Sequence, residues 1–456
     1  MSESTQSPPA TMERVVGVFG ATMMGLGSIV GTGVFVSLAV GAGVAGPAVI
    51  IAVVIGAAVA LCNGMSSGQL AANYPVAGGT YEYGYRCLNP AMGFTAGWMF
   101  LCAKSASAAT AALGLAGYLF NTIGVDERWI TPAAVAAVIL FGALVLTGLK
   151  RSNHANTVIV SITLATLAAF VFAGLAYVFN STGSQTGTPV AEKVADHLTP
   201  FFNPTPGHDD RSPVAGLLEA SALMFVAYTG YGRIATLGEE IRNPKRNIPI
   251  AIFVTLAVSM IFYLAVTVVA IAAVGAPAFA DAASSSAAPL ETVARAVAGP
   301  WLAWVLVVGA ITAMAGVLLN LILGLSRVAL AMGRRHDMPS PIGNLTPAGT
   351  PAVAIVLVTL IIAGLALFGD VRTTWSFSAA TVLVYYALTN LAALKLKPEQ
   401  RLYPPLVSVL GLVACLFLVL WVDPKVLAFA AGLIVVGLLW HAVARRLSQS
   451  RQDPQP

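Results

Sequence analysis

Residues Gly25–Phe35 read GLGSIVGTGVF and lie inside an apolar run long enough to be one continuous helix. Gly25, Gly27, Gly31 and Gly33 each weaken a helix by about 1 kcal/mol relative to alanine. Ser28 and Thr32 place polar groups between them. Two readings stand side by side. In one, the helix is broken near the middle of a bilayer, and freed backbone N–H groups at a positive dipole end bind a carboxylate. In the other, Gly27 and Gly31 form a small-residue seam against which a second helix packs.

The residues around this stretch identify its solvent. Of 456 residues, 57% are hydrophobic and only 9% charged, against roughly 25% charged in a soluble domain, and the mean hydropathy is +0.83. Apolar runs near the ~20 residues of a bilayer-spanning helix recur at 14–40, 44–71, 91–120, 131–149, 155–179, 213–238, 248–275, 300–332, 351–368, 373–394, 403–421 and 425–446. The expected fold is all-α and integral to the membrane, with about twelve transmembrane helices in one domain over 14–447. Residues 1–13 and 448–456 are expected to be cytoplasmic tails, the first disordered, because MSESTQSPPA lacks a basic start and a cleavage site. The connection Asn180–Ser212, rich in Gly, Ser, Thr and Pro, is expected to be a loop.

Basic residues give the orientation. With the N-terminus inside, seventeen lysines and arginines fall on the inner side, and only Arg128, Lys193, Arg211, Arg295, Arg372 and Lys425 fall outside. Lys104 lies within a span. This bias predicts a multi-pass protein of the cell membrane with both termini cytoplasmic. Dispersed over many short loops, the basic residues form no nucleic-acid patch. Neither HExxH nor paired CxxC occurs among five histidines and four cysteines, so no metal or cofactor is expected and a zinc enzyme is disfavoured. Three of the cysteines, Cys62, Cys102 and Cys415, fall in apolar spans, which argues against a disulfide framework.

A second interruption lies in the sixth span, LMFVAYTGYGRIATLGEEIRNPKRNIPIAI, where Gly230 and Gly232 break the apolar run. Paired Gly-interrupted spans in corresponding positions mark the binding site of transporters built from inverted repeats. The first and sixth spans are five apart, so each opens a five-helix unit, about 14–180 and 212–397, with two helices at about 403–447 outside the repeat. Of the charged groups nearby, Glu239, Glu240, Arg242, Lys245 and Arg246 read as a solvated inner loop, and Arg233 snorkels to that surface. Asn320 reads as an interhelical hydrogen bond.

Several motifs now resemble the amino acid–polyamine–organocation superfamily, whose members share the leucine-transporter fold. They are GSIVGTGVF at Gly27–Phe35, LAANYPVAGGTYEY at Leu70–Tyr83 with GFTAGW at Gly93–Trp98, PFFNP with AYTGYG and GEEIRNPKRNIPIAI around the sixth span, and SRVALAMGRRHDMP at Ser326–Pro339 with AGTP at Ala348–Pro351. The resemblance covers about Arg14 to Val353. It implies a 5+5 inverted repeat with broken helices 1 and 6, two extra helices, and secondary active transport of an amino acid by alternating access, either proton-coupled or by exchange.

The resemblance also implies site residues. Amides near Gly31, Thr32 and Gly33 would hold the substrate carboxylate, and carbonyls of Ile29, Val226 and Thr229 its ammonium. Lys104, Tyr228, Leu321 and Ser378 would line the side-chain pocket. Two departures are plain. Gly232 stands where many relatives carry an acidic residue, so that Tyr228 or Tyr231 would have to gate, and Thr163 stands where proton-coupled members commonly carry a lysine.

Lys104 answers the second departure. Entering the membrane near Gly93, a helix rising ~1.5 Å per residue places it about 16 Å deep, near the middle of a ~30 Å core. A central lysine carries an insertion penalty of roughly 2.5–3.5 kcal/mol and usually faces a cavity or pathway. Small residues follow it, Ser105 to Ala109. Lys104 is expected to couple protons to transport or to supply a charge that disfavours cationic cargo, which favours neutral amino acids; a structural strut paired with backbone carbonyls is the plainer reading. The expected partners are an amino acid, protons and the lipid bilayer. Alternatives are a membrane amino acid sensor of the same fold or a carrier of cationic amino acids or amines. A channel would need a ring of like residues or a filter loop, and neither is present.

Overall fold

A computed structural model describes residues 16–75, 78–148, 153–179, 190–202, 212–236 and 241–450. The tail 1–13 and the charged residues Arg14, Lys150, Arg151, Arg211, Glu239, Glu240 and Arg451 lie outside the described residues. Every described element is helical, apart from one bridge between Val16 and Ile241. Helices occupy each expected span: α1 (Val18–Ile29) with α2 (Leu38–Ala45), then α3 (Val49–Asn73). A short α4 (Thr80–Cys87) precedes α5 (Pro90–Ile123), α6 (Ile130–Leu146) and α7 (Asn153–Phe179).

The expected loop after α7 is corrected in part, since it contains α8 (Val190–Leu198). In VAEKVADHL the apolar Val190, Val194 and Leu198 recur every four residues, a helical stripe that the Gly/Pro content of the longer segment concealed. Then follow α9 (Pro213–Tyr228), α10 (Gly232–Thr236) and α11 (Pro244–Ser285). The last of these outruns its expected end at 275, because Gly275 turns the chain at φ 78 and Pro277 restarts it. Next come α12 (Pro289–Ala298), α13 (Pro300–Arg334), α14 (Ala352–Phe368), α15 (Val371–Leu394), α16 (Pro405–Val419) and α17 (Pro424–Ser450).

Nine helical stretches among the described residues are long and apolar enough to cross a membrane, α1 to α3 counting as one continuous stretch of 56 residues. The outer surface of the helices carries Phe172, Ile261, Leu360, Leu406 and Leu439, all exposed. Apolar exposure of this extent suits lipid and not water. This is a multi-pass membrane protein.

The centre is built on α5, which packs against both α13 and α15. Its start is fixed by Pro90 at the first helical position and by Asn89, whose side chain accepts the Met92 amide at 2.9 Å. It ends at Gly124 in the left-handed conformation. Polar contacts join neighbouring helices where no water is available. Asn390 donates to Asn63 Oδ1 at 2.5 Å, and Ser66 and Ser408 pair at 2.9 Å, which ties α3 to α15 and α16.

The end of the molecule that carries most of the arginines is braced through Asp337, which is 2% exposed. Tyr81 and Tyr85 donate to its Oδ2 at 2.7 and 2.6 Å, His441 Nδ1 lies 3.0 Å from its Oδ1, and Trp440 donates to its carbonyl at 2.8 Å. Burial, and then the carboxylate they bind, push both phenols upward from the ordinary tyrosine range. This cluster defines the basic end; the opposite end, with Arg128, Arg295 and Arg372, is the far end.

Candidate functional site

The two glycine-rich interruptions meet. A Cβ on Gly230 would lie 2.4 Å from both the carbonyl carbon and the oxygen of Ser28, so only glycine allows α9 and α10 this close to the end of α1. At the first interruption α1 stops at Ile29. Val30, at φ −81 and ψ 85, centres an inverse γ-turn in which the Gly31 amide donates back to Ile29 O at 3.0 Å. The chain then re-enters helix through a wide π-turn, Gly33–Ser37, while the Val34 and Phe35 amides both return to Gly31 O at 3.1 Å. Thr32 and Gly33 head this new segment, where helical geometry leaves amides without an intrahelical acceptor. Thr32 Oγ1 is buried and has no hydrogen-bond partner among the described residues.

The second interruption is a tightening. From Tyr228 the chain passes through a single 3₁₀ turn, Thr229–Tyr231, into α10. The Thr229 amide and the Thr229 hydroxyl both donate to Val226 O, the hydroxyl at 2.7 Å.

Lys104 reaches this turn from α5. It is 8% exposed, and its ammonium donates to Thr229 Oγ1 at 2.7 Å. No acidic side chain among the described residues pairs with it. The resulting relay runs Lys104 Nζ, Thr229 Oγ1, Val226 O, and ends at the negative end of α9.

The three expected ammonium acceptors share one pattern. Ile29 O accepts the Gly31 amide and the Tyr263 hydroxyl, the latter at 2.8 Å. Val226 O accepts an amide and a hydroxyl from Thr229. Thr229 O accepts the Gly232 amide and the Tyr386 hydroxyl, the latter at 3.1 Å. A carbonyl has two lone pairs, so each of the three is full, with one fixed donor and one rotatable hydroxyl. An incoming ammonium would have to displace hydroxyls.

The remaining expected residues divide. Ser378 pairs with Ser107 at 2.8 Å, on the same helix as Lys104. Tyr228 turns its hydroxyl to Val53 O at 3.3 Å and its ring to Tyr263, with centroids 5.0 Å apart. Leu321 is half-buried on α13. On the same helix Val317 Cγ2 lies 2.6 Å from where a Gly31 Cβ would stand. Thr163 bonds its own helix at Ile159 O, 2.8 Å, and touches no part of the Lys104 relay. Tyr263 and Tyr386 were absent from the expected set. Their signal was a phenol in the middle of an apolar span, which needs a buried partner for its hydroxyl. A cavity of about 810 Å³ opens toward the far end beside Val40, Leu113, Asp281 and Asp370, and none of the expected site residues lines it.

A helical membrane chain with two facing helix interruptions and a buried lysine bonded to the second has the build of a membrane carrier. Residues 20–450 match the amino acid permease family, and the chain belongs to that family. It is 36% identical over 442 residues to an uncharacterized transporter of Mycobacterium tuberculosis, covering 97% of this chain and 93% of that one. It is 25% identical to the branched-chain amino acid permease BcaP of Bacillus subtilis (97% and 95% covered) and 26% identical to a methylthioribose transporter of the same organism (98% and 96%).

Proposed function

We propose that this protein is a secondary active amino acid transporter of the cell membrane, working by alternating access with both chain ends cytoplasmic. On this reading about twelve spans form a 5+5 inverted repeat, 14–180 and 212–397, with α16 and α17 outside it. The substrate carboxylate binds the amides at Gly31, Thr32 and Gly33. Its ammonium takes the places that hydroxyls fill on Ile29, Val226 and Thr229. Lys104 is the coupling residue, and neutral amino acids are the favoured cargo because its ammonium, while protonated, opposes a second cation at the site.

One observation carries the proposal: the Lys104 ammonium, without an acidic partner among the described residues, bonded to Thr229 at the second interruption. A strut would need only backbone carbonyls. Here the lysine instead holds the one side chain that caps Val226 O, so gain or loss of its proton acts on the ammonium subsite directly.

The test is uptake of labelled neutral amino acids into proteoliposomes, with and without an imposed pH gradient. Lys104→Ala is expected to lose the response to the gradient. A wild-type rate with an unchanged response overturns the coupling role, and saturable binding without accumulation or exchange identifies a sensor. The methylthioribose relative supports a second reading, in which the cargo has neither carboxylate nor ammonium. Competition separates the two: branched-chain amino acids should displace label while their decarboxylated amines and methylthioribose compete poorly.

A further inference from the structure

Asp337, which braces the basic end, is placed by its own backbone. Helix α13 ends in a Schellman turn, in which the Asp337 amide donates back to Met332 O at 2.9 Å and the His336 amide to Gly333 O at 3.1 Å. Glycine is the usual residue at the left-handed position of such a turn, yet His336 holds it here at φ 62. Asp337 is therefore fixed relative to α13, and it is buried.

Its partners come from two sides. From α4, Tyr81 and Tyr85, one turn apart, both donate to Oδ2. Between them Glu82 accepts Arg335 at 3.2 and 2.7 Å, and the Arg335 guanidinium lies 4.6 Å from the Tyr85 ring centroid. From α17, Trp440 donates to the Asp337 carbonyl at 2.8 Å. His441 brings Nδ1 to 3.0 Å from the other carboxylate oxygen, in a polar contact angled away from a linear hydrogen bond. Helix α17 is itself seated on α5. Trp98 donates to Leu433 O at 2.9 Å, a Cβ on Gly437 would stand 2.8 Å from the Trp98 ring, and the His441 ring stacks on Phe94 with centroids 4.7 Å apart. Leu433, Gly437 and His441 follow at four-residue spacing, so one face of α17 makes all three contacts. A line of contacts thus runs from α5 through α17 and Asp337 to α4.

We propose that α17, outside the repeat, is one jaw of a clamp on the basic end: Trp440 and His441 hold Asp337 where Tyr81 and Tyr85 reach it, so the last helix sets how often α4 releases. The inference rests on the transport reading, in which the basic end must open in every cycle. Without the α17 side, the buried carboxylate keeps its two phenols but loses a polar neighbour and the hold on its backbone. The segment then shifts, and two phenols bound to one oxygen are released together. Trp440 and His441 are positioning residues, and α4 is the part that moves.

Hydrogen exchange read by mass spectrometry on the full-length protein in nanodiscs, without substrate, tests the clamp on α4, at a distance from the altered residues. Trp440→Phe keeps a ring and loses the N–H bonded to Asp337 O, so exchange in 80–87 should rise about 5-fold. His441→Phe keeps the stack on Phe94 and loses Nδ1, and it should raise the same peptides about 2-fold. Phe429→Leu loosens α17 where its ring meets Phe377, about three turns before Trp440, and should leave 80–87 unchanged. No acceleration of 80–87 in Trp440→Phe, or the same acceleration in Phe429→Leu, overturns the clamp. Should Trp440→Phe not fold, the unmodified protein decides: 80–87 and 437–446 must exchange as one cooperative unit as denaturant rises, and independent rates overturn the proposal. In transport, Trp440→Phe should lower the basic-side KM relative to the far-side KM, because the basic-open form gains population. A merely structural defect would lower turnover and leave that ratio in place. Absence of any transport by the unmodified protein would refute the carrier reading and leave the exchange result standing.

Discussion

At the first interruption the chain opens, and at the second it only tightens. Between Ile29 and Gly33 helical bonding stops, a γ-turn takes over, and amides are left without helical acceptors. Between Tyr228 and Gly232 bonding shifts from α to 3₁₀ spacing, and the carbonyls of that turn stay doubly occupied. Glycine serves different ends in the two places. Gly31 faces a side chain, Val317, whereas Gly230 faces the backbone of Ser28. Glycine interruptions that look alike in the sequence thus conceal two arrangements, free amides where the helix opens and occupied carbonyls where it stays continuous.

The sharpest way to break this comparison is to add one methyl group to each. Gly230→Ala drives a Cβ into a carbonyl that has nowhere to go, and overpacking of this kind costs about 3 kcal/mol. Thermal unfolding in detergent should show a large loss of stability, and uptake should vanish. Gly31→Ala meets only the tip of Val317, so it should be milder and be restored by Val317→Ala. Equal damage from both would mean that the first interruption, like the second, is set by backbone contact.

A smaller effect with an unusual sign is expected at Tyr263, whose hydroxyl bonds Ile29 O at 2.8 Å and Ala227 O at 3.2 Å across the two interruptions. The single Tyr263 proton is shared between the two acceptors, so Tyr263→Phe removes one three-centre bond and destabilises the empty protein by about 1.5 kcal/mol. Substrate ammonium, if it uses Ile29 O, must displace that hydroxyl in the unmodified protein. Part of the displacement is already made in the variant, so affinity should tighten by up to about 10-fold, the equivalent of about 1.4 kcal/mol. Calorimetric titration of purified protein measures this; weaker binding would show that the hydroxyl contacts substrate directly.

The fold was legible where physics acts locally. Apolar runs located the long described helices to within a few residues, apart from the end of α11, because a lipid environment favours long apolar helices. Gly230 and Lys104 also stood out, since each violates a rule for membrane helices. Harder to read were the pairings between distant residues. Nothing in SMIFYLAV says that Tyr263 serves Ile29, 234 residues away, and nothing near Lys104 names Thr229. The short helix α12 was hidden differently. LETVARAV is too polar for a span and too short to register against apolar neighbours, so its burial appears only when Glu291 is seen bound by Asn121 and Arg295.

The smallest effect belongs to Tyr386, and it tests whether hydroxyl occupancy is a general device or a peculiarity of Ile29. Its hydroxyl donates to Thr229 O at 3.1 Å and lies beside the Tyr231 hydroxyl, and its ring packs on Phe225 and Tyr231, each with centroids 5.5 Å away. Tyr386→Phe therefore keeps the packing and frees one lone pair on a carbonyl that retains the Gly232 amide. Loss of this hydrogen bond costs about 1 kcal/mol or less, less than the shared bond of Tyr263. If the Thr229 carbonyl receives substrate ammonium, affinity should tighten by about 3-fold, in the same direction as at Tyr263 and smaller. In the double variant the two gains should be less than additive, because one ammonium meets both carbonyls. Tightening at Tyr263 with none at Tyr386 would confine the ammonium to the first interruption and leave the second to Lys104 alone.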